Sequence, residues 1–244
     1  MVRLLTYNVH RCIGADRVLD VARIADVIAA QAPDIVALQE LDVGRARTGG
    51  VDQAHQIAQR LGMAFHFHAA LKVEEELYGD AILTALPERL VRAGPIPGHP
   101  RLSRLEPRGA LWVAIEVAGV TLHVINTHLG LVPREQQLQA EALAGPDWLG
   151  AAPRDAPVAL VGDFNAASRA RAYRTLAQAM TECRRAPRRW GRIPTFPARM
   201  PVLAIDYVFL RGAVTVERVA TPASAAARVA SDHLPLVVDL SLTP

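Results

Sequence analysis

Asp163 and Asn165 stand two residues apart at the end of Ala156–Asn165, APVALVGDFN. Val158, Ala159, Leu160 and Val161 have the length and β-branching of a buried strand, and Gly162 allows a sharp turn after them. On extended backbone the Asp and Asn side chains point to the same side. A carboxylate and an amide at a strand mouth can hold a cation and a phosphate oxygen together. The plainer account is a Gly-Asp-Asn turn that ends a strand, since all three are common turn formers.

Similar residues recur at other strand ends. Asn8, Glu40 and His128 fall where apolar runs finish, and Asp80, Arg108, Asp206 and Asp232-His233 fall where they begin. Antiparallel neighbours bring one strand's end and the next strand's start to a shared edge. One rim can therefore gather all of these groups, and so many buried charges call for a neutralising cation. Glu40, Asp163 and Asp232 are hard oxygen donors of the kind Mg²⁺ prefers, with water and substrate phosphate as further ligands. No Cys or His cluster has zinc spacing. Phosphodiester hydrolysis needs charge relief at phosphorus, an activated water and a proton for the leaving oxygen. His233 suits the general base if Asp206 or another carboxylate orients its ring. His128, Arg108, Asn8 and Asn165 can donate to the phosphate as charge develops.

The elements that must position these groups follow from periodicity. Strands are expected over Val2–Val9, Asp34–Leu38, Ala64–Ala70, Ala81–Leu86, Ala110–Val117, Val120–Asn126, Ile205–Leu210, Val214–Val219 and Leu234–Leu240. Helices are expected after Asp20, over Asp52–Leu61 with Gly62 as C-cap, from Pro133 to about Leu143, and after Ser168. Pro and Gly crowd residues 94–109, which read as a loop. Arg184–Arg192 reads as a basic loop containing Trp190, able to grip a polyanion and stack on a base. Hairpins mixed with strand–helix alternation require mixed sheets covered on both faces, and two sheets packed together with helices outside meet that need.

With 244 residues and 51% hydrophobic content, the chain has material for one large domain spanning 1–244, and no linker divides it. The net charge of +3 and pI near 9.2 suit an acidic ligand. Cys12 and Cys183 make no disulfide framework. The N-terminal apolar run is too short for a signal-peptide core and no run approaches a membrane span, so a cytoplasmic monomer is the expectation.

The segments TYNVH, LQE, YGDAIL, EPRGAL, NTHLGL, GDFN, IDYVF and SDHLPL, in this order from Thr6 to Leu236, resemble the endonuclease/exonuclease/phosphatase superfamily typified by deoxyribonuclease I. The resemblance implies a four-layer αββα sandwich, two packed mixed β-sheets flanked by helices, and a Mg²⁺- or Mn²⁺-dependent phosphoesterase. It likens Asn8 and Glu40 to the family's metal-site pair, Asp163 and Asn165 to its carboxylate and phosphate-orienting amide, and Asp232 to a further metal-side carboxylate. It likens His233 to the catalytic His, Asp206 to its positioning partner, His128 to the second His, and Arg108 to a phosphate-contacting Arg. Which His is acid and which is base, and whether one metal or two operate, stays open. Two positions depart from the pattern. Asp80 replaces a common Asn, where a carboxylate can repel phosphate, bind metal or stay protonated, and Ala204 replaces a common Arg.

The function implied is hydrolysis of a phosphoester by direct attack of water, with nucleic acid or another polyanionic phosphodiester as the leading substrate. A phospholipid headgroup or small phosphorylated metabolite is the alternative within the enzyme class. A catalytically silent phosphate-binding module is the alternative outside it.

Overall fold

The computed structural model describes residues 1–185 and 193–243. In chain order the strands begin with β1 (Val2–Asn8), β2 (Ile35–Val43), β3 (Ala64–Val73), β4 (Glu76–Thr84), β5 (Glu88–Pro95) and β6 (Gly109–Val117). They continue with β7 (Val120–His128), β8 (Val158–Asp163), β9 (Thr181–Glu182), β10 (Asp206–Arg211), β11 (Val214–Ala220) and β12 (Leu236–Leu242). The helices are α1 (Val21–Ala29), α2 (Gln53–Leu61), α3 (Pro133–Ala144), α4 (Arg171–Ala179) and α5 (Ala225–Ala230).

Among the described residues these strands form two six-stranded sheets, ordered β11-β12-β1-β2-β4-β3 and β5-β6-β7-β8-β10-β9. β1 runs parallel to β2 and β7 parallel to β8; the other pairings are antiparallel. The strands are apolar on both faces because both faces are covered. Along β1 and β2, Leu4, Ile35 and Ala37 join Val113, Val124, Val161 and Val208 between the sheets. The alternate residues Leu5, Val36 and Leu38 face outward, against Ile24, Ile28 and Ile57 of α1 and α2 and Ala227 of α5. The second sheet's outer face packs Trp112, Leu160 and Phe209 against Leu143 of α3 and Leu176 of α4. Four layers result, helices–sheet–sheet–helices, as the expected αββα sandwich requires.

Several boundaries move. Asp20 and Asp52 cap α1 and α2 by accepting from the Arg23 and His55 amides, and Gly62 closes α2 at φ +67°. Ser168 does not cap α4; Ala170 precedes it, with no side-chain cap. The Pro- and Gly-rich segment begins inside β5, which pairs with β6 through Pro95↔Gly109. Edge position explains it, since one side of an edge strand needs no ladder partner. β4 starts at Glu76, so Asp80 lies within a strand and not before one. β2 continues past Glu40 to Val43, with its register broken between Leu38 and Leu41.

Candidate active site

The two parallel pairs set the geometry. β1 and β2 end at the same edge of the first sheet, β7 and β8 at the same edge of the second, and antiparallel β10 begins there. The register pairs His128 with Asp163, and Asp163 with Asp206. The tip of β1 brings in Asn8, and the loop before β12 brings in His233.

Asn8, buried at the tip of β1, donates from Nδ2 to Glu40 Oε1 and to Asp163 Oδ2, each at 3.0 Å. One amide therefore links carboxylates from different sheets. Glu40 reaches this position because the break in β2 puts it at φ +63°, in the left-handed region that costs a side chain about 1 kcal/mol. The bulge leaves carbonyls needing donors. Asn126, fully buried on β7, crosses between the sheets and donates from Nδ2 to the Leu38 and Ala81 carbonyls at 2.9 Å each. Its Oδ1 accepts from Gln39 Nε2 at 2.7 Å.

His233 and Asp206 form the tightest pair, Nδ1 to Oδ2 at 2.9 Å, and His233 Nε2 lies 3.5 Å from Asp163 Oδ2. Burial opposes a charged ring here, but the Asp206 and Asp163 carboxylates outweigh it and push the His233 pKa up to about 10. Asp163 is itself pushed up, by burial and by the Asp206 charge, against the pull of His233. Phe196 packs on the His233 ring at 4.8 Å between centroids. The Asp206 carbonyl accepts from the buried Arg184.

His128 lies on the other side of Asp163, with Nε2 3.6 Å from Asp163 Oδ2 and 4.0 Å from Glu40 Oε1. Its Nδ1 faces Arg108 at 2.9 Å and its Nε2 faces the Asn165 amide at 3.0 Å. Both neighbours present N–H groups, so protonating both ring nitrogens would set donor against donor. Burial, with the nearby Arg108 and His233 charges, holds the His128 pKa well below its ordinary value. Asn165 adopts φ +48°, its amide N donates to Asp163 Oδ1 at 2.8 Å, and its side chain also donates to the Leu129 carbonyl. The GDFN segment is thus both the turn and the carboxylate–amide presentation.

Asp80 is buried near Glu40 and Arg108. Burial pushes its carboxyl up to about 7, with Arg108 and the Glu40 amide pulling the other way. Of the three possibilities for this carboxylate, staying protonated is the one burial favours. Arg108 also pairs with Glu106 at 3.0 Å.

Not every expected residue joins the cluster. Asp232 is half-exposed, lies 3.3 Å from Ser231 Oγ, and faces His10 Nδ1 at 4.0 Å. The tightest group of potential metal donors among the described residues is instead Asp163, Asp206 and His233, whose ligand atoms lie within 4.8 Å of one another. Arg184 is no member of an exposed basic loop. It is buried, paired with Glu182 at 2.7 Å and stacked over Tyr207, while Arg185 lies over Tyr173. The rest of that stretch, including Arg188, Arg189 and Trp190, falls outside the described residues. His66 pairs with Glu88 across the sheet edges, and burial lowers the His68 pKa. Asn126, Phe196 and Ser231 carry the cluster without having been singled out, and Arg184, expected in the basic loop, supports it from within. Asn126 and Ser231 lie inside NTHLGL and SDHLPL, which was their only signal. Ser231 Oγ donates to the Asn8 carbonyl at 2.8 Å.

This fold and this cluster of carboxylates, amides and imidazoles define a phosphoesterase-type site. The profile of the Endonuclease/Exonuclease/phosphatase family matches residues 5–233, and the chain belongs to that family. Its members are phosphoesterases and generally use divalent metals. The chain is 27% identical to the uncharacterized protein YbhP of Escherichia coli K12 over 98% of this chain and 96% of YbhP. Among solved structures it resembles an endonuclease/exonuclease/phosphatase from Beutenbergia cavernae, at TM-score 0.79 and 25% identity over 99% of this chain and 71% of that one. It also shares its fold with the mannosyl-6-phosphatase Bt3783 of Bacteroides thetaiotaomicron, at TM-score 0.77 and 17% identity over 99% and 100% of the two chains.

Proposed function

We propose that the protein is a divalent-metal-dependent phosphoesterase that cleaves a phosphodiester by direct attack of water. The supporting observation is the Asp206–His233–Asp163 line beside the Asn8-bridged Glu40 and Asp163. It sets an oriented imidazole next to two carboxylates from opposite sheets.

The residues fit a hard cation. Asp163 is buried, carries no lysine or arginine partner among the described residues, and has its pKa raised by burial and by Asp206. Asp206 Oδ1 is buried without a hydrogen-bond partner. Glu40 and Asp163 would hold Mg²⁺ or Mn²⁺, with the Asn8 amide fixing their separation. The bound ion supplies charge relief at the phosphoryl oxygens.

Everything else falls to side chains of the chain. His233 takes the proton of the attacking water at Nε2, while Asp206 holds Nδ1–H and supports the resulting imidazolium. Neutralising the Asp163 charge removes part of what keeps His233 protonated at rest, which frees Nε2 for that task. The water oxygen bonds to phosphorus, the bond to the leaving oxygen breaks, and that oxygen takes a proton from bulk water to leave as an alcohol, while His233 returns its proton to solvent. Neutral His128, with Asn165 and Arg108, donates hydrogen bonds to the phosphoryl group as its charge grows.

Purified protein assayed on bis-p-nitrophenyl phosphate tests the reading. Turnover is expected with Mg²⁺ or Mn²⁺ and is expected to vanish with chelator. No metal-dependent turnover on any phosphoester of a panel spanning DNA, RNA, phospholipids and sugar phosphates would leave a phosphate-binding module in its place.

A further inference from the structure

Most of the exposed large apolar side chains of the described residues lie in loops near one another, with Met1, Val73 and Leu90 elsewhere. Among the described residues the two most exposed large ones after Met1 are Leu131 (73%) and Met200 (72%). Leu102, Val202 and Leu203 are between 42% and 48% exposed. Leu131 follows His128 by three residues, in the turn after β7. Leu203 precedes Asp206 by three, in the excursion 195–203 ahead of β10. Leu102 lies in the loop 97–108 that leads to Arg108 and β6.

These loops therefore leave the same edge of the second sheet, the edge that carries the site. β6, β7, β8 and β10 are consecutive neighbours, so three strand spacings, about 15 Å, separate the outermost of them. The 195–203 excursion is anchored beside the catalytic imidazole. The Ala198 amide donates to the Asp232 carbonyl at 2.7 Å, the Leu234 amide to the Thr195 carbonyl at 2.8 Å, and Phe196 packs on His233. Arg199 reaches the Ala15 carbonyl at 2.9 Å, so the loop carrying Val18, another exposed apolar residue, adjoins the same rim.

Each apolar side chain has an arginine close by in sequence: Arg101 and Arg104 beside Leu102, Arg134 after Leu131, Arg199 before Met200, Arg17 before Val18. All five arginines are exposed, and among the described residues none has a carboxylate within ion-pair distance. Of the nearby acids, Asp16 pairs with Arg23 and Glu106 with Arg108, Glu135 is buried, and Asp232 faces His10. Exposed apolar groups rimmed by polar ones mark interaction surfaces. Aliphatic tips alternating with guanidinium groups that have no carboxylate partner among the described residues match a layer whose outside is anionic phosphate and whose inside is hydrocarbon. Nucleic acid would match the arginines but not the aliphatic tips, for which base stacking calls for aromatic rings. The β3–β4 hairpin, where Val73 adjoins Glu74 and Glu75, leaves the site-bearing edge of the first sheet, since Val43 pairs with Leu77, and its acidic tip directs an anionic surface toward the second sheet's loops instead.

We propose that this rim docks on an anionic lipid bilayer and presents the phosphoester of a lipid headgroup to Asp163 and His233. The substrate half of this inference rests on the phosphoesterase reading above; the docking half does not.

Two measurements separate them. Vesicles of phosphatidylglycerol are mixed with the full chain and sedimented, with phosphatidylcholine vesicles as the uncharged control. Turnover of bis-p-nitrophenyl phosphate is followed in parallel. The chain is expected to bind the anionic vesicles, less so as salt rises, and to leave the neutral ones. Leu131→Asp with Met200→Asp is expected to weaken vesicle binding about tenfold or more, and Arg101→Gln with Arg134→Gln severalfold. Turnover of the soluble ester is expected to stay within about twofold in every variant, because none of these residues touches the catalytic cluster. Leu131→Ser with Met200→Gln guards against a folding artefact and is expected to act in the same direction. Absence of vesicle binding, or binding that ignores all these changes, overturns the proposal. So does a result in which the variants leave vesicles untouched and instead release a single-stranded oligonucleotide. Loss of soluble turnover in the unmodified chain with vesicle binding intact would sink the phosphoesterase reading and spare the docking surface.

Discussion

Asp163 is flanked by two histidines that are equally buried, one charged and one neutral. His233 has carboxylates at both ring nitrogens, 2.9 and 3.5 Å away, and is held as the imidazolium. His128 has N–H groups at both nitrogens, 2.9 and 3.0 Å away, and is held neutral. Burial disfavours the charged ring in both places, so the difference comes from the neighbours. In the proposed mechanism this contrast corresponds to proton transfer on the side facing Asp206 and hydrogen-bond donation on the side facing Arg108.

The strongest way to break this contrast is to remove each ring in turn. His233→Ala is expected to lower kcat on bis-p-nitrophenyl phosphate about a thousandfold, the loss of a general base. His128→Ala should cost about a hundredfold, the loss of one donor to the developing charge. Equal losses, with the same pH dependence left in both variants, would show that the asymmetry has no part in turnover.

Acid–base linkage sharpens the comparison. The folded pKa of His233, about 10, lies above the unfolded value near 6.5. Its contribution to stability is therefore fully present below pH 6.5 and is lost as pH rises through 10. The folded pKa of His128 is depressed, so its contribution is present above pH 6.5 and is lost as pH falls below it. Ring-carbon NMR of metal-free protein should show one site-edge histidine still protonated at pH 8 and another still neutral at pH 5.5. Both rings titrating together near 6.5 would erase the distinction.

A smaller effect is expected at Asp80, whose folded pKa near 7 exceeds its model-peptide value of 3.8. The folded state keeps a proton that the unfolded chain has released, so this group costs stability increasingly from pH 4 to 7. Asp80→Asn should raise the melting temperature by roughly 4 °C at pH 8 and by little at pH 4, read by thermal denaturation. An equal shift at both pH values would place the effect outside proton linkage.

Much of the fold was legible because two-sided burial makes strands uniformly apolar, and because the caps at Asp20, Asp52 and Gly62 obey local rules. β5 was hidden by Pro and Gly that an edge strand tolerates. The six-residue α5 was hidden by its length, although Ser224 does cap it by accepting from the Ala227 amide. In the site, strand ends placed Asn8, His128, Asp163 and Asp206 correctly at one edge. Glu40 was read as ending its strand, but it sits in a bulge within one, and bulges are set by what lies across the sheet. The Arg184 assignment failed for a similar reason. Sequence shows its charge, while its burial against Glu182 and Tyr207 is decided by chain that arrives from elsewhere.

The Asn126 bridge has a consequence for how the halves of the sandwich move. Glu40 belongs to one sheet and Asp163 to the other, so the gap between them measures the alignment of two slabs whose shared interior is mostly greasy, non-directional packing. A slip of one residue along a strand, about 3.3 Å, would pull the two acids out of step while leaving most of that packing intact. Two amides, Asn8 and Asn126, act as dowels at the seam, and an ion seated there would be a third.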